Sequence, residues 1–107
     1  VLHDLVSNGH KLILFTMRSD INYLDDALAW FQEQGIPLYG VQSHPEQTSW
    51  TASPKAYGEL IIDDTMLGAK LVGGRYLNWQ WTAEMLCERG LITPEQLAAY
   101  DFRLYVY

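Results

Sequence analysis

The stretch Lys11-Leu12-Ile13-Leu14-Phe15-Thr16-Met17-Arg18-Ser19 decides how the rest of this chain is read. From Lys11 to Phe15 it is a short run, continuously apolar after the lysine, the pattern of a strand buried on both faces by flanking helices. The run stops at a hydroxyl, Thr16. Two further polar signals stand along the chain: Lys55 in Ser53-Pro54-Lys55, and the pair Asp63-Asp64 closing the apolar Leu60-Ile61-Ile62. In open parallel α/β sheets, ligands bind in the crevice beyond the carboxyl ends of the strands, so Thr16 and Asp63 are placed to converge although far apart in sequence.

Upstream of that run, Val1, Leu2, Leu5 and Val6 share one helical stripe, and Asn8-Gly9 supplies a residue able to take positive φ where the helix stops. Downstream, Asn22 is expected to cap a helix. From Tyr23 to Gln34 the apolar residues Leu24, Ala27, Leu28 and Phe31 recur at spacings of three and four, and Gly35 with Pro37 ends the element. Pro37 to Val41 is expected to be a second strand, Gln42 to Ala52 a polar loop, and Pro54 the first turn of a brief helix. Glu59 to Ile62 is expected to be a third strand. The alternation of strand and helix predicts an α/β fold, a Rossmann-like parallel sheet flanked by helices. Further on, Gly73-Gly74 separates two apolar runs as a hairpin turn does. Trp79 to Arg89 forms a helix stopping at Gly90, and Thr93-Pro94-Glu95-Gln96 has the N-cap, first-turn proline and returning Gln of a capping box. Phe102 to Tyr107 alternates as an edge strand does.

The 107 residues suffice for a single domain spanning 1–107, and 49% hydrophobic with 19% charged is too apolar for disorder. A net charge of −6 argues against a nucleic-acid partner, since binding phosphate backbones depends on Lys and Arg. The single cysteine, Cys87, has no partner for an intramolecular disulfide, which suits a cytoplasmic location. No apolar run approaches the ~20 residues that cross a bilayer, so no membrane is expected.

Asp63-Asp64 is the strongest chemical signal. Adjacent carboxylates repel unless a hard cation accepts their oxygens, and Mg2+ is commonly held by one or two carboxylates plus water and phosphate oxygens. Against this stands the plain alternative that Asp63 caps a turn and Asp64 is solvated. Lys55 offers a point charge for a phosphoryl group, or is a surface lysine. Thr16 and the backbone of Met17 and Arg18 offer donors to phosphate oxygens, and the Arg18 guanidinium can fork onto a phosphate or remain an exposed loop arginine. His44 is left outside the site. Trp50, in a polar loop, is the tryptophan placed to face a substrate, whereas Trp30, Trp79 and Trp81 suit core or wall positions.

Thr16, Lys55 and Asp63-Asp64, with Phe15-Thr16-x-Arg18 before a helix and Gly68, a hairpin and Asn78-Trp79 after the acidic pair, resemble the haloacid dehalogenase-like (HAD) hydrolases. The resemblance is to their small capless bacterial and phage type and covers roughly Val1 to Trp79. It implies magnesium-dependent hydrolysis of a small phosphorylated substrate. Thr16 then binds the phosphoryl group, Lys55 stabilises nucleophile and phosphoryl charge, and Asp63 with Asp64 holds Mg2+. The family's nucleophile motif, Asp-x-Asp at the end of an earlier strand, has no counterpart in these residues. Asp4, the only acidic residue ahead of the first strand, lies in a helix-like stretch and is no substitute. The chain is therefore expected to lack its N-terminal central strand, in keeping with its start at Val1, and to be inactive as it stands. That would leave two sheet edges open to a strand-donating partner or self-association. The other reading is a non-catalytic α/β module that binds a metal or a partner.

Overall fold

A computed structural model describes residues 1–19 and 21–102, without the side chains of Ile21 and Asn22. The elements in order are helix α1 (Leu2–Ser7), strand β1 (Ile13–Leu14), helix α2 (Ile21–Glu33), strand β2 (Gly40–Val41), a 3-10 turn (Gln47–Ser49), strands β3 (Leu71–Val72) and β4 (Tyr76–Leu77), and helices α3 (Trp79–Glu88) and α4 (Pro94–Ala99). The fold is small and mixed α/β. Among the described residues it contains a two-stranded parallel sheet, β1 with β2, and a two-stranded antiparallel one, β3 with β4.

The core lies at the helical end. Leu5 of α1, Ala83 and Leu86 of α3, and Ile92 ahead of α4 are buried together, with Val1, Leu2, Leu12, Leu91, Leu97, Tyr100 and Phe102 packed around them. Both boundaries of α3 and the start of α4 have a local cause. Asn78 caps α3 by accepting from the Trp81 N–H at 3.0 Å, and Gly90 at φ 78° turns the chain out of it. Thr93 and Gln96 form the reciprocal capping box, with Pro94 in the first turn. Polar side chains then join the two ends of the chain. Asn8 Nδ2 donates to Leu91 O at 3.0 Å and to Gln96 Oε1 at 2.8 Å, Gln96 Nε2 returns a bond to Asn8 Oδ1 at 3.0 Å, and the Tyr100 hydroxyl donates to Asp4 at 2.5 Å.

The sheet end is thinner. Ile13 pairs with Gly40 and Leu14 with Val41 in parallel. The strand expected over Lys11 to Phe15 shortens to two residues and is not buried on both faces, for Phe15 is 56% exposed. Pro37 to Val41 likewise forms a strand only at Gly40–Val41. Glu59 to Ile62 is not a strand, and Leu60, Ile61 and Ile62 remain 37%, 40% and 37% exposed. Strand conformation persists only where a neighbour takes up its backbone groups, and the described chain offers this segment none. Among the described residues the parallel sheet expected to be Rossmann-like is limited to the pair β1 and β2.

Two helix expectations also change. Asn22 does not precede α2 as a cap but lies within it, because the helix begins at Ile21. Its other end behaves as expected: Ile36 N donates to Phe31 O and Gly35 N to Gln32 O, with Gly35 at φ 67°. No helix opens at Pro54, since a side chain, Gln47, holds that segment instead. The Gly73-Gly74 hairpin forms as expected, with Leu71 opposite Leu77 and Val72 opposite Tyr76. Of the expected edge strand over 102–107, Phe102 packs on the helical core and 103–107 lie outside the described residues.

Candidate functional site

β1 and β2 run parallel, so their carboxyl ends, at Thr16 and Gln42, lie side by side. Gln42 N donates to Leu14 O at 2.7 Å and extends the ladder by one bond. Gly40 is required just before it: a Cβ there would stand 2.3 Å from Ser43 O, so only glycine lets the chain turn back this tightly. Gln42 itself has φ 63°, the one non-glycine residue with positive φ among those described. Such a conformation costs on the order of 1–3 kcal/mol and persists only where surrounding bonds hold it. Here they do. Gln42 Oε1 accepts from Thr16 N at 2.9 Å, and its Nε2 donates to Thr16 O at 2.6 Å and Arg18 O at 3.1 Å. One side-chain amide thereby satisfies three backbone groups of the Thr16–Arg18 loop.

Inside this loop Thr16 Oγ1 accepts from Arg18 N at 3.2 Å, which leaves the hydroxyl proton available as a donor. Met17 is 96% exposed, so the loop surface is open to a ligand. The Arg18 guanidinium bonds Tyr23 O at 3.0 Å, fastening the loop to α2 with one of its five donors. Arg18 also lines a shallow depression with Asp26, Ala27, Trp30 and Phe31. A larger one, beside Tyr100 and Phe102, includes none of the candidate residues.

Lys55 sits in a second loop ordered by a second glutamine. Gln47 is buried, and its Nε2 donates to Ser53 O at 3.1 Å and Lys55 O at 2.6 Å, while its Oε1 accepts from Tyr57 N at 2.7 Å. Its backbone carbonyl accepts from Trp50 N at 3.1 Å and Thr51 N at 3.0 Å. The Lys55 side chain is exposed. Around this knot stands an aromatic cluster. The His44 ring lies 5.3 Å from Tyr39, 5.9 Å from Trp50 and 6.0 Å from Tyr57, and Trp50 lies 5.4 Å from Tyr57. Lys11 Nζ stands 4.5 Å from the centre of the Tyr39 ring. His44 Nδ1 accepts from Glu46 N at 3.2 Å, which gives it a structural task.

Asp63 and Asp64 occupy an exposed turn. Asp63 Oδ1 accepts from Thr65 N at 2.9 Å and from Thr65 Oγ1 at 2.8 Å, the turn-capping arrangement. These two bonds, the backbone one foremost, hold the Asp63 carboxyl below its ordinary range. Among the described residues no group of three or more His, Cys, Asp or Glu comes together. Magnesium is commonly held by one or two carboxylates with water and phosphate oxygens completing its shell, and of the oxygens of Asp63 and Asp64, Asp63 Oδ1 is already engaged by Thr65.

Thr16 thus bonds Gln42 and Arg18, Lys55 bonds Gln47 and Ser53, and Asp63 bonds Thr65, and none of these bonds joins Thr16, Lys55 and Asp63 to one another. Sequence reasoning missed the two glutamines. Polar residues in a loop carry no periodicity, and only the fold shows which backbone groups they reach. Among the described residues no helix is long and apolar enough to cross a membrane. No family model, curated protein or solved structure matches the chain.

Proposed function

We propose that this chain is the body of a HAD-like phosphohydrolase that acts on a small phosphorylated substrate with magnesium. The observation that supports this most is Gln42: a residue with positive φ stands at the carboxyl end of β2, and its amide shapes the Thr16–Arg18 loop at the carboxyl end of β1. In this reading the Thr16 hydroxyl and the N–H of Met17 donate to phosphoryl oxygens, and Lys55 places a positive charge where the transferring group becomes more negative. Asp63 and Asp64 hold the metal. Bound there, magnesium neutralises phosphate charge. No Asp-x-Asp is present in these residues, so the covalent route requires a carboxylate nucleophile brought by another segment or chain.

The test is a fusion placing an apolar strand that ends in Asp-x-Asp ahead of Val1. With magnesium it should hydrolyse 4-nitrophenyl phosphate, and Lys55→Ala in the fusion should lower kcat strongly, while the unfused chain stays at background. A fusion that binds its added strand yet shows no turnover overturns the proposal.

A second reading is favoured by a different observation. Among the described residues β1 has a partner on one edge only, and Leu60, Ile61 and Ile62 stand exposed in a row without a strand neighbour. In this reading the chain is a non-catalytic α/β module whose open edge takes a strand from a partner or a second copy. A catalytically silent fusion with a sharply raised Tm would favour it.

A further inference from the structure

Gln47 brings a cation and an open aromatic corner onto one loop. Its backbone carbonyl holds Trp50, its amide holds Ser53, Lys55 and Tyr57, and Lys55 therefore lies between two residues whose rings meet. The Trp50 and Tyr57 rings are 5.4 Å apart at 87°, and they remain 55% and 48% exposed. Burial does not account for two large rings left half in water. Their mutual geometry does offer a use: perpendicular rings form a corner in which an incoming ring lies flat on one and meets the edge of the other, both favoured aromatic contacts. His44, edge-on to each at 5.9 and 6.0 Å, backs the corner and holds it in place. The segment from Gln47 to Gly58 contributes hydroxyls and the Lys55 cation and no carboxylate, the nearest acidic residues in sequence being Glu46 and Glu59 at its two ends.

We propose that the Trp50–Tyr57 corner receives the planar ring of a phosphate monoester, a nucleobase or an aryl group, whose phosphate lies toward Lys55. This rests on the phosphohydrolase reading for the phosphate and on the ring geometry for the rest. It narrows the substrate class from phosphorylated small molecules in general to those bearing a flat ring. Sugar phosphates are then the poorer ligands, because they have nothing to stack.

The experiment uses the 15N-labelled chain, whose Trp50 indole N–H signal is assigned by its loss in Trp50→Phe. Adenosine 5′-monophosphate, phenyl phosphate, ribose 5-phosphate and adenosine are titrated separately. The two ring-bearing esters should shift the Trp50 indole and the Tyr57 amide and bind more tightly than ribose 5-phosphate, which should move only the amides near Lys55 and Thr16. A stack of this kind is typically worth about 1–3 kcal/mol, so Trp50→Ala should weaken adenosine 5′-monophosphate about tenfold and leave ribose 5-phosphate unchanged. Trp50→Phe, which keeps a ring, should retain most of the affinity. The stronger of the two esters identifies the ring. Equal binding of ribose 5-phosphate and adenosine 5′-monophosphate, indifference to Trp50→Ala, or no shift with any probe overturns the proposal. Adenosine shifts without any response to ribose 5-phosphate would sustain the ring corner and count against the phosphate reading alone.

Discussion

Leu86 and Ile61 are both branched apolar residues in apolar stretches, yet Leu86 is 2% exposed and Ile61 is 40% exposed. The contrast is that of their two regions. At the helical end, α1, α3 and α4 close over a shared core, and side chains of Asp4, Asn8, Gln96 and Tyr100 tie elements from opposite ends of the chain. At the sheet end, β1 and β2 make a two-residue ladder, and among the described residues Ile36 and Ala56 are the only buried apolar side chains outside the helical core. Order there comes from polar clamps, Gln42 and Gln47, more than from burial. A helix satisfies its own backbone and needs only one apolar face covered, whereas a strand is incomplete without neighbours on both edges.

The largest expected effect lies at the helical end. Leu86→Ala should cost about 2–5 kcal/mol, as core Leu truncations do, read as a lowered urea midpoint. Ile61→Ala should cost well under about 1 kcal/mol because its side chain is already half in water. Equal losses would break the comparison by showing that the sheet end is as tightly packed as the helical one.

Next is the clamp at the sheet end. Gln47→Ala removes three part-buried hydrogen bonds, to Ser53 O, Lys55 O and Tyr57 N, and at about 0.5–1.5 kcal/mol for each the total should reach a few kcal/mol. The Trp50 and Tyr57 signals should collapse toward free-chain values in a proton NMR spectrum, while α3 amides keep their exchange protection. Loss of α3 protection in this variant would mean that the two ends unfold as one.

Thr93→Ala removes the N-cap of α4 and should cost about 1 kcal/mol. Because Gln96 also pairs with Asn8, the double variant Thr93→Ala, Asn8→Ala should cost less than the sum of the single losses, measured as a double-mutant cycle.

The smallest effects are in pH. Burial, followed by its hydrogen bond to Asp4, raises the Tyr100 hydroxyl above its ordinary value. A raised pKa gives stability that is full below the unfolded value, near 10, and fades as pH climbs above it. Tyr100→Phe should flatten that alkaline decline in Tm. Asp63 has the opposite sign. Its lowered pKa supports the turn at neutral pH and is lost as pH falls below the ordinary carboxylate range. Lying in a surface turn and only partly buried, it should move global stability little, and the change should be confined to amide shifts near Thr65.

Much of the helical end was legible in the residues alone. Gly9, Gly35 and Gly90 mark helix ends because positive φ is inexpensive only for glycine, and Thr93-Pro94-x-Gln96 writes out its own cap. The Gly73-Gly74 hairpin follows from the same local chemistry. These features depend on residues a few positions apart, so the sequence by itself determined them. It also supplied the candidate site residues, Thr16, Met17, Arg18, Lys55, Asp63 and Asp64. What only the tertiary structure decided is where long-range partners exist. Leu60-Ile61-Ile62 has the composition of a strand, but a strand is a relation between two segments, and this one has no neighbour among the described residues. Gln42 and Gln47 are unremarked polar letters in a loop, and they become the clamps of Thr16 and Lys55 because folding brings unpaired backbone groups within reach of their amides.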